Sequence, residues 1–285
     1  MSTVQQNPLK KYFRQPKIYI RLPSSGNFYP PGSLEMTETG EFPVFPMTAK
    51  DELLIRTPDA LMNGQATVDV IQSCMPNIKN AWLMPSIDVD AVLVAIRIAT
   101  YGEMLDVTTV LPGMSDAKTY ETDLRIVLDS LLSATFDPEY KVDDDMTVII
   151  RPLNYKEFSQ SSIKSLEEQR IIRLVNDESM EEAQKLQMFA QSFKKLTNLT
   201  IDTVSQGLER VRTPDGDVTD PAFIKEFIEN ADKTFFKGIL DHLDEQKKKF
   251  AIRPFKVTTT DEERADGAPD EFEVPITLDS SNFFG

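Results

Sequence analysis

The run Ala91-Val92-Leu93-Val94-Ala95-Ile96 is apolar on every side of a helix. Such a helix has no face to give to water, so the rest of the chain must wrap it. The stretch predicts a central buried helix over 87–101, capped by Ser86 and ended by Gly102. Arg97 lies inside it and needs a partner there.

The chain ahead of this helix is poor in helix-forming sequence. Seven of the 18 prolines fall in residues 1–46: Pro8, Pro16, Pro23, Pro30, Pro31, Pro43 and Pro46. Proline fixes φ and removes a donor, so no long helix fits. Lys17 to Leu22 alternates and predicts one short strand. Pro23-Ser24-Ser25-Gly26-Asn27 predicts a turn. The region reads as an extended arm with aromatic anchors Tyr12, Phe13, Phe28 and Tyr29, ordered only where it lies on something.

Thr48 is placed to cap a helix from Ala49, with Asp51 completing a capping box, and Pro58 interrupts that helix. Val68, Ile71 and Met75 then repeat at helical spacing. Residues 103–122 read as two short strands about Leu111-Pro112-Gly113, and Asp123 to Leu132 as a helix. Met146 to Arg151 predicts a strand. From 153 onward helices dominate: Leu166 to Val175, and Glu181 to Leu196 with Leu186, Phe189, Ala190, Phe193 and Leu196 on an apolar face. Thr213 to Asp217 is a turn, Asp220-Pro221 opens a helix towards Glu229, and another runs from Ala231 to Lys249. The tail offers two strands, Pro254 to Val257 and Phe272 to Leu278, around an acidic loop at 261–267.

The chain has 285 residues, with 31 basic and 46 acidic side chains and a net charge of −15. A duplex-binding protein needs a basic face, so nucleic acid is not an expected partner. The first 40 residues run against this balance, with five basic residues and two acidic ones. A basic arm on an acidic body can dock on an acidic surface, its own or a neighbour's. The one cysteine, Cys74, excludes an internal disulfide and reads as a buried, inert thiol. No stretch is apolar for about 18 residues, so no membrane span is expected. The opening Met-Ser-Thr-Val-Gln-Gln carries no apolar signal core, which predicts synthesis in the cytoplasm.

Catalytic patterns are missing. The single histidine, His242, has no Ser or Cys placed beside it by sequence and reads as a surface residue. Neither a phosphate-binding loop nor a dinucleotide fingerprint occurs. Asp215 to Asp220 resembles part of a calcium loop but departs from it at 219, 220 and 221. The triplet Asp143-Asp144-Asp145 reads as a solvated loop. No cofactor and no metal are expected.

Four stretches together resemble a known family. They are Leu22-Pro23-Ser24-Ser25-Gly26-Asn27-Phe28-Tyr29-Pro30; residues 46–64, from Pro46-Met47-Thr48-Ala49-Lys50-Asp51-Glu52 to Leu61-Met62-Asn63-Gly64; residues 88–103, from Asp88-Val89-Asp90 to Thr100-Tyr101-Gly102-Glu103; and Pro275-Ile276-Thr277-Leu278-Asp279-Ser280-Ser281-Asn282-Phe283-Phe284. In that order they are similar to the baseplate hub subunits and hub assembly proteins of T-even-type contractile-tailed bacteriophages. Many members of that family carry C-x-x-C pairs near Leu111 to Met114 and near Val257 to Glu262, which could share a zinc. This chain has neither pair, so the strand-turn shapes are expected to be held by packing, without zinc.

The expected fold is α+β and predominantly helical, with short strand pairs and an extended N-terminal arm. The organisation expected is an arm over 1–46, an α+β lobe over 47–152, and a mainly helical lobe with a strand-containing tail over 153–285. The resemblance implies a non-enzymatic structural subunit of the tail baseplate hub, present in several copies in the virion. Its partners would be other hub, tape-measure or wedge proteins. The alternative it implies is an assembly chaperone for the hub or tape-measure protein that is absent from the finished virion. A cell-wall hydrolase is disfavoured by the missing histidine cluster. Tyr12, Phe13, Arg14, Tyr19, Arg21, Phe28 and Tyr29, with Phe283 and Phe284 at the other end, are the expected partner contacts.

Overall fold

The computed structural model describes residues 7–56, 64–112, 114, 116–174, 182–265, 267–278 and 283–284. The fold is α+β and predominantly helical with short antiparallel strand pairs, as the sequence predicts. Pro58 lies outside the described residues.

A first core forms around helix α3 (Ser86–Tyr101), twelve of whose sixteen residues are buried. Ser86 is its first helical residue and not its cap. Pro85 holds the cap position without a side-chain bond, and the Ser86 N–H donates to Leu153 O at 2.8 Å. Arg97 stacks over the Tyr101 ring at 4.7 Å and donates to Gly102 O at 3.3 Å.

Strand β1 (Ile18–Ile20) pairs antiparallel with β2 (Phe42–Val44). Ile20, Leu22, Phe42 and Val44 are all buried against the core. Residues 18–46, expected within an extended arm, are thus woven into the body. Helix α1 (Ala49–Ile55) starts with the capping box read from the sequence: Thr48 N–H donates to the Asp51 carboxylate, and Asp51 N–H donates back to the Thr48 hydroxyl. Helix α2 (Gln65–Cys74) and helix α4 (Leu124–Leu132, capped by Asp123) close the same core. Between α3 and α4 stands a hairpin of β3 (Met104–Val110) and β4 (Ala117–Asp123).

A second core lies under a four-stranded antiparallel sheet ordered β5 (Glu139–Lys141), β6 (Thr147–Ile150), β7 (Leu208–Thr213), β8 (Gly216–Val218). Strand β7 is not signalled in the sequence. It follows helix α6 (Glu182–Gly207) with no intervening loop. Helix α5 (Tyr155–Leu174) and α6 form a long antiparallel pair, both longer than their apolar periodicity suggested. Helices α7 (Pro221–Asn230, capped by Asp220) and α8 (Lys233–Lys249, capped by Asp232) cover the sheet through Ile224, Ile228 and Ile239. Three lysines at the end of α8 complement its dipole.

The tail forms a second hairpin, β9 (Phe255–Thr258) with β10 (Glu271–Val274). The acidic loop between them is a short helix, α9 (Asp261–Ala265). Beyond the hairpin, Ile276, Phe283 and Phe284 return to the first core.

Candidate interaction surfaces

The N-terminal segment is fixed at one residue. Arg14 donates to Ser73 O at 2.7 Å, to the Ser73 hydroxyl at 2.8 Å, to the Asp51 carboxylate at 3.2 Å and to Pro46 O. Its guanidinium fork links the stretch after β2, α1 and α2 through a side chain that only arginine can supply. Cys74 lies 3.8 Å away and is buried. Burial, and then the charge of Asp51, push its thiol up to about 12, so it stays protonated and inert.

Ahead of Arg14 the described residues, from Asn7 onward, stand out from the body. A short 3-10 turn, Pro8–Tyr12, is capped by Asn7 and buries none of its residues. Leu9, Tyr12 and Phe13 are 60%, 72% and 56% exposed. Tyr19 points outward from β1 and is 60% exposed. Lys10, Lys11, Lys17 and Arg21 are exposed beside these rings, with Arg21 3.5 Å from Glu41. No acidic residue occurs before Glu35.

The other expected contact residues fold inward. The turn after Leu22 passes through Ser25, Gly26 and Phe28 with positive φ, which aims Ser24 and Tyr29 at the start of α3. Asp88 there accepts from Ser24 N at 2.8 Å, the Ser24 hydroxyl at 2.6 Å and the Tyr29 hydroxyl at 3.0 Å. Burial pushes the Asp88 carboxyl up to about 6 in spite of these three donors. The Tyr29 phenol is raised too, by burial first and then by Asp88. Phe28 keeps 37% exposure and meets Phe136 edge-on at 5.4 Å. Phe283 and Phe284 are buried, edge to face at 4.9 Å, and Tyr101 donates to Phe284 O at 3.1 Å. Their rings are already covered by this chain, so the terminal aromatic pair completes a core and leaves no exposed contact.

The two hairpins lie side by side. Glu263 of α9 accepts from Lys118 Nζ at 2.8 Å and Tyr120 at 3.1 Å, both on β4, and Tyr120 meets Phe272 edge-on. The Lys118 ammonium, with the Thr260 N–H, holds the Glu263 carboxyl down at about 2. An ion pair therefore joins the hairpins where packing was expected to suffice.

The sequence features suggestive of chemistry resolve into local structure. Asp143 accepts from the N–H groups of Asp145 and Met146, closing a turn. His242 lies beside the Tyr140 ring, 3.2 Å from Asp137 O. Asp217 pairs with Arg210 at 3.0 Å, and Asp220 caps α7. Among the described residues, no three His, Cys, Asp or Glu side chains converge on a possible metal position. None of their helices is long and apolar enough to cross a membrane.

A third surface carried a sequence signal that reads as core. Leu186, Phe189 and Phe193 repeat along α6 at helical spacing, yet they are 71%, 45% and 60% exposed.

Compared with known proteins, residues 14–265 match the family model described as T4 bacteriophage base plate protein. No curated protein and no solved structure matched. The matched span begins at the anchored Arg14 and includes the secondary structure of both cores up to the end of α9.

Proposed function

Since the chain belongs to the T4 bacteriophage base plate protein family, we propose that it is a non-enzymatic structural subunit of the baseplate hub, held there by contacts with other tail proteins. Family membership makes it a phage tail protein with a structural role in the virion. The hub position rests on the resemblance of its four long sequence stretches to hub proteins.

The observation that carries the contact mode is the N-terminal segment. Exposed rings of Tyr12, Phe13 and Tyr19 alternate with exposed cations, and Arg14 fixes their base to the body. Aromatic side chains with arginine are the usual anchors of protein interfaces. The absence of acids before residue 35 suits an acidic surface on a hub, tape-measure or wedge protein. In this reading Tyr12, Phe13, Tyr19 and Arg21 touch the partner. Arg14, Phe28 and Tyr29 position the segment, and Phe283 and Phe284 support the core behind it.

The test is quantitative mass spectrometry of purified virions carrying the natural chain or the double variant Tyr12→Ala/Phe13→Ala. Several copies per tail are expected for the natural chain. The variant should melt normally, because both rings are exposed, and be depleted from virions. Absence of the natural chain from virions, with presence in infected-cell lysates, would replace this reading by an assembly chaperone. Normal incorporation of the variant would move the contacts elsewhere on the surface.

A further inference from the structure

The pair α5–α6 places its side chains in an unusual order. Ser192 is 2% exposed while its neighbour Phe193 is 60% exposed. The seam between the helices includes polar groups: Thr203 bonds to Ser161 at 3.3 Å, and Lys195 to Glu168 at 3.0 Å. The larger apolar groups, Leu186, Phe189 and Phe193, face outward, with the two phenyl rings stacked at 6.2 Å. No described residue between 156 and 200 enters either core. At 1.5 Å per residue, helices of 20 and 26 residues extend about 30 and 39 Å. A contiguous apolar stripe on such an element marks a surface that another molecule covers.

We propose that the outward face of α6 pairs antiparallel with the same face of a second copy of this chain, about a two-fold axis. Charge favours a copy over another occupant. Residues 155–207 hold seven basic and eight acidic residues, a net charge of −1, against −14 for the rest of the chain. A basic partner is steered to that remainder, whereas a second copy approaches with least repulsion along the near-neutral helix pair.

The stripe is also self-complementary. A two-fold axis between residues 189 and 190 sets Leu186 opposite Phe193, seven residues away on the same strip, and brings Phe189 beside its own counterpart on one flank and Ala190 beside its counterpart on the other. Glu182 falls opposite Thr197. The axis makes each of these contacts twice, as an isologous interface requires, and the small Ala190 lets its flank close up. Lys185 and Lys194, also level with each other, are nine residues apart, about two and a half turns. They therefore lie on opposite flanks and do not meet. This pairing is independent of the N-terminal contacts and of the hub assignment.

Analytical ultracentrifugation of the purified full chain over a wide concentration range tests it. A monomer–dimer equilibrium is expected. Phe189→Asp and Phe193→Asp should each weaken it by roughly tenfold or more without lowering the melting temperature. Ala190→Cys provides a readout that does not depend on those variants folding. The only native thiol, Cys74, is buried, so a short bis-maleimide should cross-link the Ala190→Cys variant into dimers and leave the natural chain uncoupled. A monomer at every concentration would overturn the proposal. So would a dimer untouched by both Asp variants, or an α6 face protected from hydrogen exchange only when other tail proteins are added.

Discussion

Ser24 holds Asp88 twice, through its backbone N–H at 2.8 Å and its hydroxyl at 2.6 Å, across 64 positions of sequence. The contact locks the turn after β1 onto the first turn of the most buried helix. Tyr29 adds a third donor, so the carboxylate organises a segment that would otherwise have only side-chain packing to hold it.

Removing that acceptor strands three donors. Asp88→Ala should cost about 2–5 kcal/mol, because buried groups left without partners carry the full desolvation penalty. Tyr29→Phe, which removes one donor and leaves the rest, should cost about 1 kcal/mol. Chemical denaturation of the two variants gives both values. Equal small losses would mean that the cluster is not cooperative.

Stability should pass through a maximum in mild acid. Burial raises the carboxyls of Asp88 and Asp90 from 3.8 to about 6, so the folded chain binds protons more tightly there than the unfolded chain. Stability from these two groups grows as pH falls through about 6 and is complete below 3.8. Glu263 acts in reverse: its carboxyl is lowered from 4.5 to about 2, so its contribution is present above 4.5 and lost as pH falls towards 2. Melting temperatures across this range should rise and then fall. Asp88→Asn and Asp90→Asn should flatten the upper limb, and Glu263→Gln the lower one.

Arg14→Ala should free the exposed segment without unfolding the body. The loss of charge-assisted bonds to a mostly buried acid predicts about 1–3 kcal/mol. Trypsin should cut at Lys10 and Lys11 faster than in the natural chain. Arg14→Lys should behave like the alanine variant, since a lysine has no fork to reach Ser73, Asp51 and Pro46 together. Unchanged cleavage in Arg14→Ala would remove the anchoring role.

Two truncations should differ sharply. Removing residues 1–13 takes away only exposed groups among those described. Removing 1–31 takes Ile20 and Leu22 from the core, each worth about 1.5–3 kcal/mol, together with Ser24 and Tyr29. The first should melt like the full chain, and the second should be unfolded or molten by circular dichroism. The sequence reads residues 1–46 as an arm apart from the body, and β1 is the reason the second truncation reaches the core.

Local signals in the sequence carried much of the fold. The all-round apolar run announced α3, Thr48 with Asp51 announced α1, and Asp220-Pro221 announced α7. Each of these is written within a few neighbouring residues. Strand β1 was legible, but its partner across more than twenty positions was not. The Ser24–Asp88 bond was invisible for the same reason. Strand β7 was missed because α6 runs into it with no intervening loop, and the one break signal, Gly207, is taken up as the last residue of the helix. The surfaces were legible in composition only. Periodicity shows that Leu186, Phe189 and Phe193 share a face but not what covers it, and an aromatic pair such as Phe283 and Phe284 gives no sign of whose core it will enter.

The bond from Tyr101 to Phe284 spans 183 positions, and that distance has a duration. At roughly 5–20 residues per second of synthesis, about 10–40 seconds separate the emergence of the two. During that interval the first core lacks two of its aromatic rings, while the whole of the second core is being made. A chain interrupted anywhere in the second half would carry an intact N-terminal segment on a body that cannot close. The order of translation thus makes completion of the first core a late checkpoint, passed only by chains read through residue 284.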